Sequence, residues 1–244
     1  SAWLVARTRM RGHLRLKLVP VILIPATIVC VVGVALLLGV LLIGPELDSP
    51  APDLAELEGY FCLILYSASM LGVGITLNSL VFQTITKDKA RGSLASLLAT
   101  PLRATDIWVG QSLALFVPGL VLGFVLWVLT LIIVNVIYFI PETGFLFSGE
   151  LFVSPLVAPP LIYLGFGLLV HLVAFVAKPV TGNIIASIFL PLMVNLAIQP
   201  VVHGAIDAAS WTFSLLNLGV AVVLGMVVVV LKGRLTPERI VLSG

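Results

Sequence analysis

Six long apolar stretches, separated by short polar segments, set the pattern of this chain: about Leu18–Gly44, Tyr60–Phe82, Ile107–Ile140, Pro155–Ala177, Val180–Gln199 and Trp211–Leu231. No Asp, Glu, Lys or Arg falls inside any of them. A bilayer core of about 30 Å is crossed by about 20 apolar residues in helical form, so each stretch predicts a span. The runs are apolar on every side, whereas a membrane barrel alternates lipid-facing and lumen-facing residues. The predicted fold is therefore an all-α membrane protein, one transmembrane domain over residues 1–244. The uncharged run from Leu18 to Pro45 holds 28 residues. A cleavable signal peptide has an apolar region of about 7–15, so this run is read as a span.

Composition agrees. The chain is 60% hydrophobic and 10% charged, against about 25% charged in soluble domains. Charge placement then predicts orientation. With the N-terminus inside, the inner segments hold Arg7, Arg9, Arg11, Arg15, Lys17, Lys87, Lys89, Arg91, Arg103, Lys178, Lys232, Arg234 and Arg239, which is all 13 Lys and Arg. The outer segments hold Glu46, Asp48, Asp53, Glu56, Glu58, Glu142, Glu150 and Asp207, with no base among them. Enrichment of Lys and Arg on the cytoplasmic side is the expected signal, so both termini are expected in the cytoplasm and the chain in the plasma membrane. Splitting the long third run in two would put Lys178 and the C-terminal bases outside. One tilted or extended helix is predicted instead.

Residues 1–17 predict an amphipathic helix in the inner interface. Trp3, Ala6, Met10 and Leu14 share one face at 100° per residue, and Arg7, Arg11 and Arg15 form the neighbouring stripe, with Arg heads reaching to lipid headgroups. An ordinary basic flank that only sets orientation is the alternative. Between the second and third spans lies Thr86–Leu102, TKDKARGSLASLLATPL. Leu94, Leu97 and Leu98 fall at i, i+3, i+4, a narrow helical face. Ser93 suits an N-cap, and Pro101 disfavours helix at Thr100. So short a helix is marginal in water and needs something to dock on: headgroups, its own domain or a partner protein.

Asp88, Lys89, Arg91, Gly92-Ser93-Leu94 and Leu97-Leu98-Ala99-Thr100-Pro101-Leu102 resemble the loop between spans two and three of type-2 ABC exporter permeases. The ending Leu235-Thr236-Pro237-Glu238-Arg239-Ile240 is similar to that family's basic-acidic ending, and the N-terminal segment is similar to its elbow helix. The resemblance covers the whole chain. It implies that residues 86–102 form a cytoplasmic coupling helix docked on a separate ABC ATPase subunit, through Asp88, Lys89, Arg91, Gly92, Ser93, Leu94, Leu97, Leu98 and Pro101. It also implies a second permease subunit in the working unit, with ATP and Mg held by the ATPase. Ala90 and Ala95 stand where the family often has Glu, so the leucines are expected to carry most of the docking. The chain has no G-x-x-x-x-G-K-[ST] loop. It is not expected to be an enzyme or to hold a cofactor, and membrane lipid rather than nucleic acid is its expected surroundings.

Polar residues within the spans are the remaining candidates. Asn183, Ser187, Pro191, Asn195 and Gln199 recur every four residues on the fifth span, and Met70, Gly74 and Asn78 form a weaker stripe on the second. The resemblance implies that these two spans line the path, so Asn78, Asn183, Ser187, Pro191, Asn195 and Gln199 are path candidates. Hydrogen-bonded glue between helices is the alternative, worth roughly 0.6 kcal/mol per contact. Gly119-x-x-x-Gly123 suits close helix packing. His171 is the strongly polar titratable residue well within a span; a neutral His donating one bond to a neighbouring helix is the alternative to a functional one. His13, His203, Cys30 and Cys62 form no ligand spacing, and no metal is expected. A secondary transporter usually carries ionisable residues at membrane depth, and the spans contain no Asp, Glu, Lys or Arg. A non-transporting assembly subunit stays open as an alternative. An apolar path with amide side chains suits a hydrophobic or amphiphilic substrate.

Overall fold

The computed structural model describes residues 2–15, 19–90, 97, 99–142, 144–147, 149–176, 179–236 and 240. Among these residues every regular element is a helix. Six helices are long and apolar enough to cross a membrane: Val21–Leu47, Leu54–Leu80, Ala104–Phe139, Val153–Val176, Ile184–Val202 and Trp211–Arg234. The chain is a multi-pass all-α membrane protein. Its elements are α1 (Ala2–Arg15), α2 (Ile24–Leu38), α3 (Gly44–Leu47), α4 (Leu54–Ala90), α5 (Ala104–Val134), α6 (Glu150–Val176), α7 (Pro179–Val202) and α8 (Trp211–Leu231). Wider π turns at Val19–Leu23 and Gly39–Ile43 flank α2, and another at Asn135–Phe139 extends α5.

The centre of the bundle is α4. Every residue from Phe61 to Met70 is buried, so this helix is sheathed on all sides. Its own sequence makes that possible. Ser67, Ala68, Ser69, Gly72 and Gly74 are small, and close helix approach in a membrane depends on small side chains. The tightest seam is with α5. A Cβ on Gly72 would lie 2.9 Å from Gly123 Cα, and one on Gly119 would lie 3.2 Å from Val73 O. The Gly119-x-x-x-Gly123 motif therefore packs as its spacing predicts. Thr76 within the seam donates its hydroxyl to Gly72 O at 2.8 Å and is satisfied within its own helix.

Two helices are longer than a bilayer requires. With 37 residues, α4 measures about 55 Å at 1.5 Å per residue. It continues through Thr86–Ala90, residues expected in the following loop. No Gly or Pro lies between Gly74 and Gly92, so nothing in the chain stops the helix, and polar residues past the bilayer are compatible with it. The third span is one unbroken helical rod, Ala104–Phe139, as the charge placement predicts. It passes through Pro118 without ending.

The N-terminal segment is helical, but it docks differently from the expected wheel. Val5 and Ala6 are buried, while Trp3 is 60% and Leu4 66% exposed. The reason is Gly110 on α5: a Cβ there would lie 2.6 Å from Ala2 O and 2.8 Å from Val5 Cβ. The absent side chain makes a socket for the Val5–Ala6 edge, and Trp3 and Leu4 are left on the outside.

Candidate functional site

Helix α7 carries the expected path residues, and three contacts decide which way it faces. Near its start, a Cβ on Gly182 would lie 2.9 Å from Ala174 Cβ of α6. At mid-length Phe189 stacks on Phe166 of α6, with ring centroids 3.6 Å apart and planes 8° from parallel. Beside it, Asn78 of α4 donates from Nδ2 to Ala186 O at 3.0 Å. Together these turn Gly182, Ala186, Met193, Ala197 and Val201 inward.

The polar stripe consequently faces out. Ser187, Pro191, Asn195 and Gln199 are all exposed, interleaved with exposed Ile184, Ile188, Leu192 and Leu196. Among the described residues the Asn195 and Gln199 side chains make no hydrogen bond to another helix of the bundle, as interhelical glue would require. Asn78 behaves in the opposite way and does join two helices. Met70 is buried, and Gly74 is the point where the Tyr163 hydroxyl and Leu190 of α7 close on α4. The side chain of Asn183 lies outside the described residues.

The basic end of the bundle holds a second apolar cluster. Ile107, Trp108, Leu172, Phe175, Val228, Leu235 and Ile240 form it, with Leu97 and Leu102 packed against them. The two stretches that carry the family resemblance, the loop and the C-terminal ending, therefore meet in one place. Leu97 is half-buried here, so one of the three leucines expected to meet a partner rests on its own bundle. Thr100 closes a turn onto Leu97 O, with its N–H at 3.1 Å and its hydroxyl at 2.5 Å, and exposed Pro101 follows. Arg91, Gly92, Ser93, Leu94 and Leu98, and the side chains of Asp88 and Lys89, lie outside the described residues. Trp108 ties the start of α5 to α6 by donating to Leu168 O at 2.9 Å. His171 is buried on α6, its Nδ1 2.8 Å from Gly167 O one turn back. The bond is to its own helix, not to the neighbouring helix that the alternative to a functional histidine expected.

Two buried polar pairs escaped the sequence reading. Tyr66 of α4 donates to Asn217 Oδ1 of α8 at 2.6 Å, and Asn217 Nδ2 returns to Phe213 O at 2.8 Å. Asn135, fully buried in the π turn of α5, holds the segment after it. Its Oδ1 accepts from Leu146 N at 2.7 Å, and its Nδ2 donates to Leu131 O at 3.0 Å and Leu146 O at 3.2 Å. One side-chain amide thus satisfies both backbone groups of Leu146. The signal available was a lone Asn inside WVLTLIIVNVIYFI.

No protein-family model, curated protein or solved structure matches this chain.

Proposed function

We propose that the chain is the membrane-spanning permease subunit of an ABC exporter, paired with a second permease subunit and driven by a separate ATPase that binds ATP and Mg. The basic end is its cytoplasmic face, and the substrate is hydrophobic or amphiphilic. The observation that carries this reading is the outward amide stripe of α7. Asn195 lies about 10 Å from the end of α7 at 1.5 Å per residue, a depth that belongs to the acyl chains. A polar group without partners costs roughly 2–7 kcal/mol on transfer to such a medium. A second protomer, or water in a path between protomers, relieves that cost. Isolated lipid does not.

The meeting of the loop and the C-terminal ending at one apolar cluster supports the coupling role, since movement of the loop there bears directly on α5, α6 and α8. The coupling test falls on Leu94 and Leu98 rather than Leu97, whose replacement would also disturb the bundle. With the ATPase partner reconstituted, Leu94→Asp/Leu98→Asp is expected to abolish substrate-stimulated ATP turnover. Full stimulated turnover in that variant refutes the coupling role. Asn195→Cys is expected to form a disulfide between two copies in native membranes. A monomer under conditions of full transport refutes the paired path.

A further inference from the structure

At the acidic end the last turn of α7 and the loop after it face the first turns of α4 across a cleft of about 510 Å³. One wall carries Glu56 and Tyr60, the other His203 and Asp207, with Val202 and Ile206 as apolar surface. Gly59 lets the walls come together, for a Cβ there would lie 2.5 Å from Asp207 Oδ1. The Tyr60 hydroxyl donates to Glu56 Oε1 and holds that carboxylate against the wall. Asp207 Oδ1 accepts from Ala209 N at 2.9 Å.

Each wall thus presents one carboxylate, and no Lys or Arg lines the cleft. The volume lies within the range of about 300–1,000 Å³ typical of small-molecule sites. A bare metal ion does not suit it. Calcium takes about 6–8 oxygen ligands, and among the described residues no three of His, Cys, Asp and Glu converge closely enough to hold a metal ion. Two separated carboxylates, an aromatic face and aliphatic walls suit a larger cation with apolar substituents. His203 N donates to Gln199 O at 3.1 Å, a backbone bond that closes the end of α7 beside the cleft.

The geometry points to a binding site for an amphiphilic organic cation in this cleft, with Glu56 and Asp207 facing its charge and Tyr60, Val202 and Ile206 its apolar groups. This narrows the substrate class and, in that role, rests on the transport reading above. The binding itself is measured without any ATPase or transport, so its failure and the failure of that reading are separate results. The test uses the full chain in lipid nanodiscs, with radiolabelled tetraphenylphosphonium counted above protein-free discs. Tetraphenylborate, of the same size and shape and opposite charge, is the competitor. Saturable binding is expected, at least tenfold weaker in Glu56→Gln/Asp207→Asn and unchanged in Glu142→Gln, whose carboxylate is at the acidic end outside the cleft. Tetraphenylborate is expected not to displace the cation. Undiminished affinity in the double variant, an equal loss in Glu142→Gln, or displacement by tetraphenylborate overturns the proposal.

Discussion

Replacing Gly72 with alanine probes the contact on which the bundle depends most directly. The added methyl carbon would sit 2.9 Å from Gly123 Cα, 3.0 Å from Leu126 Cδ1 and 3.4 Å from Gly123 N. Carbon atoms pack at about 3.5–4.0 Å, so α4 and α5 must part by about 0.6–1.1 Å at this level. The leucine methyl can turn away, but the Gly123 backbone cannot. A gap of about 0.5–1 Å forfeits a quarter to a half of each dispersion contact along the seam, and overpacking of this kind typically costs about 1–3 kcal/mol.

Helix propensity works against that loss, because alanine is better than glycine by about 1 kcal/mol. A matched control removes this term. Gly33 on α2 has nothing within 4 Å of its would-be Cβ, so Gly33→Ala takes the same propensity gain with no collision. The gap between the two variants isolates the seam and is expected to be about 1–3 kcal/mol. Unfolding of the purified full-length protein in mixed micelles, titrated with SDS and followed by tryptophan fluorescence, measures it. If Gly72→Ala is as stable as Gly33→Ala, the α4–α5 seam is not packed at backbone contact and the reasoning fails.

Other buried positions separate paired from unpaired polar groups. Tyr66→Phe strands Asn217 Oδ1 inside the bundle and is expected to cost about 1–3 kcal/mol. Tyr163→Phe removes a buried hydroxyl that has no hydrogen-bond partner among the described residues, and it is expected to be neutral or stabilising in the same SDS titration. Asn135→Leu leaves the Leu146 N–H and C=O without the side-chain amide. Its expected result is hydrogen exchange at Leu146 at least tenfold faster, with exchange in α4 unchanged. Equal protection in variant and parent would contradict the clamp.

Much of the architecture was legible because a bilayer imposes a simple rule. A segment crossing it must satisfy its own backbone and expose little charge, so apolar length alone counts the spans. Trp211–Leu231 and Glu150–Val176 match the predicted runs within a few residues at each end. The unbroken third span followed from charge, since a break there would have moved Lys178 and the C-terminal bases to the other side. Helix ends were less legible. The charges after Phe82 read as a loop, yet charge does not end a helix, and it continues to Ala90.

The sequence by itself determined that this is a six-span helical membrane protein with its bases at one end and most of its acids at the other, and that α7 carries a polar stripe. It did not determine what that stripe faces. In water, burial sorts polar from apolar, but in lipid the outward side chains are as apolar as the inward ones. Hydropathy is then silent about rotation. Orientation is decided by close approach and specific bonds: Gly182 against Ala174, Phe189 on Phe166, Asn78 on Ala186. Only the tertiary structure shows that these turn Ser187, Asn195 and Gln199 away from their own bundle, and that Glu56 and Asp207, 151 positions apart in the chain, share one cleft. Both facts depend on contacts between distant segments, which no local pattern encodes.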